Sequence, residues 1–341
     1  MAKDKVTLSK IAEQLGVSKI TVSRALKGQP GVSESLRREA RLLASKLGYT
    51  YERLRSVEGK SRFVFLVPKR FFLAGDIFYH EIYYHLNSLC VENNADLFVN
   101  ILEAGAEAQG SLPDDIAGAD GIFIGGEVAE PVVRAIAALS VPCVAIDFNV
   151  INGLLSCVII DNYMVGIMAA EYLIKQGYRK IGFVSADSTS SASDRLHGFT
   201  RVLGQKNLPF RKEWNIVNYD EAATAYIMDF ALPEEMPEAF ICYNDVTAYY
   251  FVEKLKSSGY HVGRDVGIVS IDNTNMAASC APPLTCINID RSRFAAEAMG
   301  LMKEQLKGNA AVRRVYLNIN IVERESAPVK KEARHEKVRR L

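Results

Sequence analysis

The chain has 341 residues, of which 49% are hydrophobic and 24% are charged. This composition is typical of a globular protein large enough for two or three domains, and no apolar run approaches the roughly 20 residues of a membrane helix. Charged residues at the N-terminus are not followed by an apolar stretch, which argues against a signal peptide. We therefore expect a cytoplasmic protein without a membrane partner.

The net charge of +1 conceals an uneven distribution along the chain. Residues 1–62 contain 14 Lys and Arg against 6 Asp and Glu, and residues 328–341 contain 6 against 2. The part between them therefore holds 21 basic against 32 acidic residues. A basic head on an acidic body predicts a head that meets a polyanion, although a solvated basic face or a membrane surface would give the same pattern.

Motifs for metal binding and catalysis are missing from the sequence. The six cysteines form no Cys-x-x-Cys pair, which predicts buried reduced thiols rather than a disulfide or zinc framework. The segment from His80 to His85 has one residue too many for a zinc-binding His-Glu-x-x-His helix, so the two rings would lie on opposite sides. Because no nucleophile or nucleotide-binding motif is present either, we expect no catalytic residue, metal or cofactor.

The N-terminal part of the chain predicts three short helices. Thr7 and Ser18 are typical capping residues for helices over 8–15 and 19–26, and Gly16 suits the turn between them. A third helix is expected to run to about residue 46. A helix, a tight turn and a second helix are the arrangement that places the second helix in the major groove of DNA.

The predicted outer face of the second helix is polar and basic. Arg24 has two donors that match a guanine edge, and Ile20 suits a thymine methyl group. The other outward side chains, Lys19, Thr21 and Ser23, are able to reach phosphates or bases. We also expect the two capping residues, Thr7 and Ser18, to contact DNA. From spacing alone, the alternative is a three-helix interaction domain with a solvated basic face.

The same segment resembles the head of the LacI/GalR family of bacterial repressors. Residues 17–26 carry the specific string Val-Ser-x-x-Thr-Val-Ser-Arg-x-Leu, and Gly48-Tyr49 follows at the end of the unit. The resemblance implies that residues 1–49 form a head that binds double-stranded operator DNA. It also implies that Lys19, Ile20 and Arg24 face base edges.

Residues 50–62 form a linker in which the family pattern is weaker. In the family this segment forms a short helix that wedges leucines into the minor groove. Here the usual proline and asparagine are absent, and Arg55 stands where a small residue is common. Leu54 and Val57 are the remaining apolar wedge candidates. A DNA-kinking hinge helix and a flexible tether are therefore both open.

From Phe63 onward, short apolar runs alternate with helical patterns, one of which predicts a helix over 79–93. This alternation predicts an α/β domain of repeated β-α-β units, with parallel sheets covered by helices on both faces. Its length of about 265 residues favours two lobes, and ligands in such folds bind beyond the carboxyl ends of the strands. The expected binding site is therefore a cleft between the lobes.

Candidate cleft residues are polar side chains that follow strand-like runs and aromatic side chains able to stack on a ring. Carboxylates, an amide and a guanidinium suit a polyhydroxylated ligand, because each hydroxyl both donates and accepts. For any one residue the alternative is a structural cap or loop hydrogen bond. The candidates are Phe78, Tyr79, Asp147, Ser191, Ser193, Arg195, Tyr219, Asn244 and Asp272.

The body also resembles the family's sensor domain, which is similar to periplasmic sugar-binding proteins. The resemblance implies a first lobe over about 63–160 plus 289–320, and a second over about 161–288 plus 321–327. It further implies a homodimer that pairs through the first lobes. The basic tail 328–341 has no pattern and is expected to be disordered.

Motifs such as Ser193-Asp194-Arg195 carry this resemblance and imply individual roles. Asp147, Arg195, Asn244 and Asp272 fall where family members hold the effector, whereas Asp161 and Asp245 would cap helices and shape strand ends. The implied function is a transcriptional repressor under allosteric control by a sugar or sugar derivative. An enzyme and an exported sugar-binding transport protein are the alternatives. The missing catalytic motifs disfavour the enzyme, and the basic head and the missing signal peptide disfavour the transport protein.

Overall fold

The computed structural model describes residues 8–26, 31–46, 60–72, 77–139, 141–150, 153–185, 189–220, 225–227, 230–309 and 311–330. Three predicted DNA contacts, Thr7, Leu54 and Val57, lie outside the described residues, as does the tail from residue 331. The role of the linker therefore stays a prediction. Within the described part, no helix is both long and apolar enough to cross a membrane.

The helices and strands follow one another in an alternating order after the head. The helices are α1 Leu8–Leu15, α2 Lys19–Leu26, α3 Glu34–Lys46, α4 Lys69–Phe72, α5 Phe78–Glu92, α6 Ala104–Gln109, α7 Glu130–Ala137, α8 Asn162–Lys175, α9 Ser190–Gln205, α10 Asp245–Ser257, α11 Asn275–Ser279 and α12 Arg291–Leu306. The strands are β1 Ser61–Pro68, β2 Ala95–Leu102, β3 Gly121–Gly125, β4 Cys143–Ile146, β5 Ser156–Ile159, β6 Ile181–Ser185, β7 Asn215–Val217, β8 Tyr219–Asp220, β9 Ala225–Tyr226, β10 Ala239–Cys242, β11 Gly267–Asp272, β12 Thr285–Asn288, β13 Arg314–Tyr316 and β14 Asn320–Val322.

The head is a three-helix unit around a small apolar core. Ile11 of α1 and Val22 and Ala25 of α2 are fully buried, and α3 contributes Ala40 and Ala44 to the interior. The amphipathic spacing of these residues explains why the short helices pack instead of fraying. The turn between α1 and α2 is tight, because the glycine that begins it adopts a positive φ of 65°.

The body is built from two twisted sheets, each covered by helices. The first has the order β13-β5-β4-β3-β1-β2 and is parallel throughout, whereas the second has the order β14-β12-β11-β10-β6-β7. In the second sheet β14 is antiparallel to β12. The chain crosses between the lobes after β5, after β12 and after β13. Apolar side chains fill both faces of each sheet.

Two predicted boundaries need correction. Asn320 begins β14 in the second sheet, although the sequence suggested the first lobe. The tail also begins later than expected, because Pro328 and Lys330 are held against the body. The Tyr178 hydroxyl donates to the Pro328 carbonyl at 3.0 Å, and Lys330 Nζ lies 2.6 Å from Glu238 Oε1.

The six cysteines are buried and unpaired, as the sequence predicted. Burial raises their thiol pKa values because the thiolate would lose its hydration. For Cys90 the pKa rises to about 12, with a smaller contribution from Asp96. The native thiols therefore stay protonated and poorly reactive at neutral pH.

Candidate functional site

The outer face of α2 presents side chains that the head does not use for packing. The helix is capped by Ser18, whose Oγ accepts a hydrogen bond from the Thr21 amide at 3.0 Å. Lys19, Ile20 and Arg24 are exposed. Thr21 and Ser23 are half-buried beside them.

This face combines an apolar contact surface with two cations. The Ile20 side chain is 68% exposed although it is a large apolar group. It lies next to Lys19 in the sequence and one helical turn from Arg24. A methyl surface flanked by an ammonium and a guanidinium matches the chemistry of a thymine methyl group, a phosphate and a guanine edge.

A cleft of about 160 Å³ opens between the two lobes at the carboxyl ends of several strands. Both lobes contribute side chains, and the lining is mainly polar and aromatic. The lining residues are Phe71, Tyr79, Glu127, Asp147, Phe148, Asn149, Ile159, Ile160, Asp161, Asn162, Thr189, Ser190, Ser191, Asp194, Tyr243 and Tyr316. This position agrees with the general rule for ligand sites in parallel sheets.

Asp147 and Tyr79 form one wall of the cleft on the first lobe. Asp147 directly follows β4 and has a positive φ of 64°, which turns its side chain out of the strand direction. Its Oδ2 accepts a hydrogen bond from the Tyr79 hydroxyl at 2.8 Å. The pair thus offers a held carboxylate beside an aromatic ring.

Arg195 lies behind the cleft instead of in its lining. The side chain is 4% exposed, and its Nε donates to Asn162 Oδ1 at 2.8 Å. Its Nη1 donates to the Tyr243 carbonyl at 2.6 Å, and the guanidinium stacks on the Tyr243 ring at 4.7 Å. Asn162 and Tyr243 both line the cleft, so Arg195 positions two lining residues.

The start of α9 forms the opposite wall on the second lobe. Thr189 is its N-cap, and Ser191 shares a hydrogen bond of 2.9 Å with the Tyr243 hydroxyl. Ser190 reaches across the cleft, because its Oγ donates to Glu127 Oε2 at 2.7 Å. The lobes are therefore joined by a direct hydrogen bond at the mouth of the cleft.

A second bridge between the lobes runs through Arg291, at the start of α12. Its Nε donates to Glu81 Oε2 on α5 at 2.8 Å, and the arginine side chain is 11% exposed. The same guanidinium donates to the backbone carbonyls of Asp272 and Asn273 at the end of β11. Arg291 was not among the sequence candidates, because an arginine inside a helical pattern has no distinguishing signal.

Two of the predicted effector contacts have structural roles at strand ends. Asn244 caps α10, with Oδ1 accepting from the Thr247 amide at 2.7 Å. Asp272 is 6% exposed with φ of 106°, and its carbonyl binds the guanidinium of Arg291. Neither is a lining residue of the cleft, although Asn244 directly follows the lining residue Tyr243.

Two other candidates lie away from the cleft, and we remove them from the predicted site. Phe78 is 5% exposed and packs edge-on against Phe294 in the core of the first lobe. Ser193 is exposed on α9, where its Oγ lies 3.4 Å from His197 Nδ1. Tyr219 belongs to the short strand β8, and its side chain lies outside the described residues.

The two aspartates expected to have structural roles are both hydrogen-bonded near helix starts. Asp161 caps α8 by accepting from the Met164 amide at 3.0 Å. Asp245 is buried and accepts from Ser270 Oγ and the Thr274 amide, both at 2.6 Å. Burial raises the pKa of Asp245, while the donated hydrogen bonds oppose that rise. It ties α10 to the end of β11 and is not itself the helix cap.

Several lining residues were not predicted from the sequence, although some of them had a usable signal. Glu127 and Asn149 come shortly after β3 and β4, the same position that singled out Asp147. Asp194 adjoins two residues that were selected. Tyr316 had no such signal, because it reaches the cleft from β13, far along the chain.

Two family models match the chain. The model described as bacterial regulatory proteins of the lacI family matches residues 7–51, and the model described as a periplasmic binding protein-like domain matches residues 170–327. The first match covers α1, α2 and α3. The second covers most of the second lobe, together with α12 and the closing strands.

Curated relatives of the chain include transcriptional repressors. The HTH-type transcriptional repressor PurR of Aliivibrio salmonicida (strain LFI1238) is 31% identical over 173 residues, which are 49% of this chain and 52% of the relative. The chain thus spans about half the length of that relative. PurR of Aliivibrio fischeri (strain MJ11) is 24% identical over 321 residues, or 91% of this chain and 94% of the relative.

Solved structures share the fold over nearly the whole chain. The transcriptional regulator CelR in complex with cellobiose has a TM-score of 0.65 at 23% identity, covering 94% of this chain and 99% of that chain. The lac repressor dimer bound to operator and the anti-inducer ONPF has a TM-score of 0.67 at 20% identity, covering 95% and 100%. A helix-turn-helix head and a two-lobed periplasmic-binding-protein-like body are thus confirmed, and the chain is similar to transcriptional repressors of the lacI family of bacterial regulatory proteins.

Proposed function

We propose that the chain is a sequence-specific DNA-binding transcriptional repressor that is controlled by a small polar effector. The observation that carries the proposal is the exposed face of α2, on which Lys19, Ile20 and Arg24 are left without a packing role in the head. This face lies on the part of the chain that matches the lacI family model. The side chains suit direct reading of base edges in the major groove.

The cleft between the lobes is the proposed effector site. Its acceptors and donors, together with its aromatic rings, suit a sugar or sugar derivative, and the CelR structure carries cellobiose in the same fold. A ligand that changes the hydrogen bond between Ser190 and Glu127 would change the angle between the lobes. Such a movement would be transmitted to the paired heads and alter their fit to DNA.

We propose that two copies pair through the first lobe, and the lac repressor structure of the same fold is likewise a dimer. The edge strand β2 and the neighbouring helix α5 expose large apolar side chains there. Tyr84 is 67% exposed, Val91 is 68% exposed and Phe98 is 44% exposed. A symmetric pair of heads would read two half-sites related by a two-fold axis.

The proposal is tested by selecting duplexes from a random pool with the full-length chain and sequencing the bound fraction. We expect an inverted repeat with half-sites about one helical turn apart. The Arg24→Ala variant serves as the matched control and should enrich the repeat more weakly, with relaxed preference at the base pair that Arg24 contacts. Bound duplexes without any shared motif would overturn the proposed function.

A further inference from the structure

Glu127 of the first lobe caps the start of α9 in the second lobe. Its Oε2 accepts two hydrogen bonds from Ser190, one from the backbone amide at 3.3 Å and one from the Oγ hydroxyl at 2.7 Å. The first amides of a helix have no partner within the helix, and a carboxylate there also meets the positive end of the helix dipole. The local cap, Thr189, accepts only from the Ala192 amide. Glu127 therefore supplies a second cap from the opposite lobe.

An ion pair holds the backbone that carries Glu127. Arg70 of α4 and Glu107 of α6 form a bidentate pair, in which Arg70 Nη2 lies 3.1 Å from Glu107 Oε1 and Nη1 donates to Oε2. The same Nη2 donates to the Glu127 carbonyl at 2.6 Å, and Glu107 Oε1 also accepts from the Ala129 amide at 3.0 Å. The Glu107 side chain is 7% exposed. One buried carboxylate thus fixes the backbone at residue 129 directly and at residue 127 through Arg70.

The residue before Glu127 is packed tightly against the same lobe. Gly126 has a positive φ of 83°, and its amide donates to the Ile146 carbonyl of β4 at 3.0 Å. A Cβ atom placed on Gly126 would lie 2.6 Å from Phe71 Cδ2, so the ring lies directly against this backbone. The Arg70 guanidinium in turn lies 4.6 Å from the centre of the Phe71 ring. Residues 126–129 are therefore held by β4, α4 and α6 together, and Glu127 reaches the second lobe from a fixed backbone.

We propose that Glu127 acts as a cap between the lobes that restrains the opening of the cleft, and that Arg70 and Glu107 are its positioning residues. This inference rests on the proposed function, because the cleft that the cap restrains is the proposed effector site. Glu127 and Ser190 both line this cleft. The cleft is most accessible to an effector when the cap is released, so the strength of this contact regulates access to the site.

The opening of the lobes is tested without knowledge of the effector, by double electron–electron resonance between two spin labels on the full-length chain. The labels are attached to Arg134→Cys on α7 and His197→Cys on α9, two exposed positions that lie beyond Glu127 and Ser190 along the chain. The native cysteines are buried, so they should stay unlabelled. Excess unlabelled chain is mixed in, so that a pair of copies contains at most one labelled chain.

Removal of the cap should move the two labels apart, because α7 and α9 both start beside the contact between the lobes. Glu127→Ala is expected to lengthen the mean distance by about 3 Å or more and to broaden its distribution. Ser190→Ala removes the hydroxyl donor but keeps the amide, so it should give a smaller shift. Ser190→Thr keeps both donors and should keep the original distance. An unchanged distance in Glu127→Ala would overturn the proposal.

The positioning role of the ion pair is tested by combining variants. Arg70→Ala should lengthen the distance in the original chain but add nothing in the Glu127→Ala background, because it acts through Glu127. Glu107→Gln should lengthen it in the same way and is the milder variant, since it leaves no unpaired buried charge. Lys69→Ala is the matched control, because Lys69 of the same helix forms an exposed ion pair with Glu103 and should leave the distance unchanged. Further lengthening in the double variant, or an equal effect of Lys69→Ala, would overturn the positioning role.

Failure of this inference is distinguishable from failure of the proposed function. The duplex selection reports on α2, whereas the distance between the labels reports on the two lobes. A chain that enriches an inverted repeat but keeps its label distance in Glu127→Ala retains the proposed function and loses this inference. A chain whose lobes open in Glu127→Ala but that enriches no DNA motif retains the cap between the lobes and loses the role of a repressor.

Discussion

The side chains of α2 form two groups: some are buried in the core of the head, and the others are exposed and available to a partner. Val22 and Ala25 are fully buried, while Ile20 and Arg24 point away from that core. This division was predictable from sequence, because residues three and four apart share one face of a helix. The identity of the bases that these side chains contact depends on docking geometry, which the sequence does not contain.

Replacement of Arg24 by alanine should reduce sequence preference more than overall DNA affinity. The loss of a two-donor contact to a base edge is expected to cost about 1–3 kcal/mol on the selected duplex and little on a shuffled one. Arg24→Lys keeps the charge but loses the forked geometry, so it should also lose preference. Fluorescence anisotropy with both duplexes measures the effect, and equal losses on both would speak against base reading.

Replacement of Arg195 by alanine should abolish the response to effector while DNA binding persists. The substitution removes the donors that hold Asn162 and the Tyr243 carbonyl, both parts of the cleft wall. Arg201→Ala on the same helix is the control, because Arg201 is exposed and forms no part of the cleft lining. The effector-induced change in operator affinity is the readout. If Arg195→Ala shows an undiminished change, Arg195 is not needed for the response to the effector.

Neighbouring residues of one helix were the hardest to assign from sequence. Tyr79 lines the cleft while Phe78 is buried in the core, and Ser191 lines it while Ser193 faces solvent. Adjacent helical residues differ by about 100° around the axis, so a small error in the rotation of a helix exchanges their roles. That rotation is set by tertiary packing, which a single sequence does not reveal.

Among the secondary-structure elements, α8 and α9 are packed with their backbones in close approach. A Cβ atom placed on Gly198 would lie 2.0 Å from the Tyr163 carbonyl oxygen, and one on Gly166 would lie 2.0 Å from the Arg195 carbonyl oxygen. Both positions therefore require glycine. The same contact brings Asn162 and Arg195 together, so the geometry of the cleft depends on this helix pair.

Gly198→Ala is expected to destabilise the second lobe by about 1–3 kcal/mol, because the helices would have to separate. Gly204→Ala on the same helix is the matched control, since a Cβ there meets nothing within 4 Å. The control should be neutral or more stable by up to about 1 kcal/mol. Urea denaturation followed by circular dichroism compares the two, and equal stability would contradict the close packing.

The elements themselves were predictable, whereas contacts between lobes were not. The predicted helix over 79–93 runs from Phe78 to Glu92, because its apolar spacing and the flanking polar residues mark it clearly. The bonds from Ser190 to Glu127 and from Arg291 to the backbone carbonyls at the end of β11 depend on how far the two lobes close. No local pattern encodes that angle.

At the scale of the whole molecule, the proposed DNA-binding head and the proposed effector-binding body have opposite net charges. Residues 1–62 carry a surplus of eight positive charges, while the residues between 63 and 327 are acidic. DNA affinity should therefore fall at least a hundred-fold between 50 and 200 mM salt, because phosphate contacts release counterions. Anisotropy titrations over this range measure the slope, and a flat response would contradict the assignment of the head to DNA.

The most direct test of the account is the ratio of two dissociation constants. Full-length protein is titrated with the duplex recovered by selection and with a shuffled duplex of equal length, in one buffer at one salt concentration. If α2 reads base edges as proposed, the selected duplex should bind about 10³-fold more tightly or better. A ratio close to one would contradict the central claim that this chain recognises a DNA sequence.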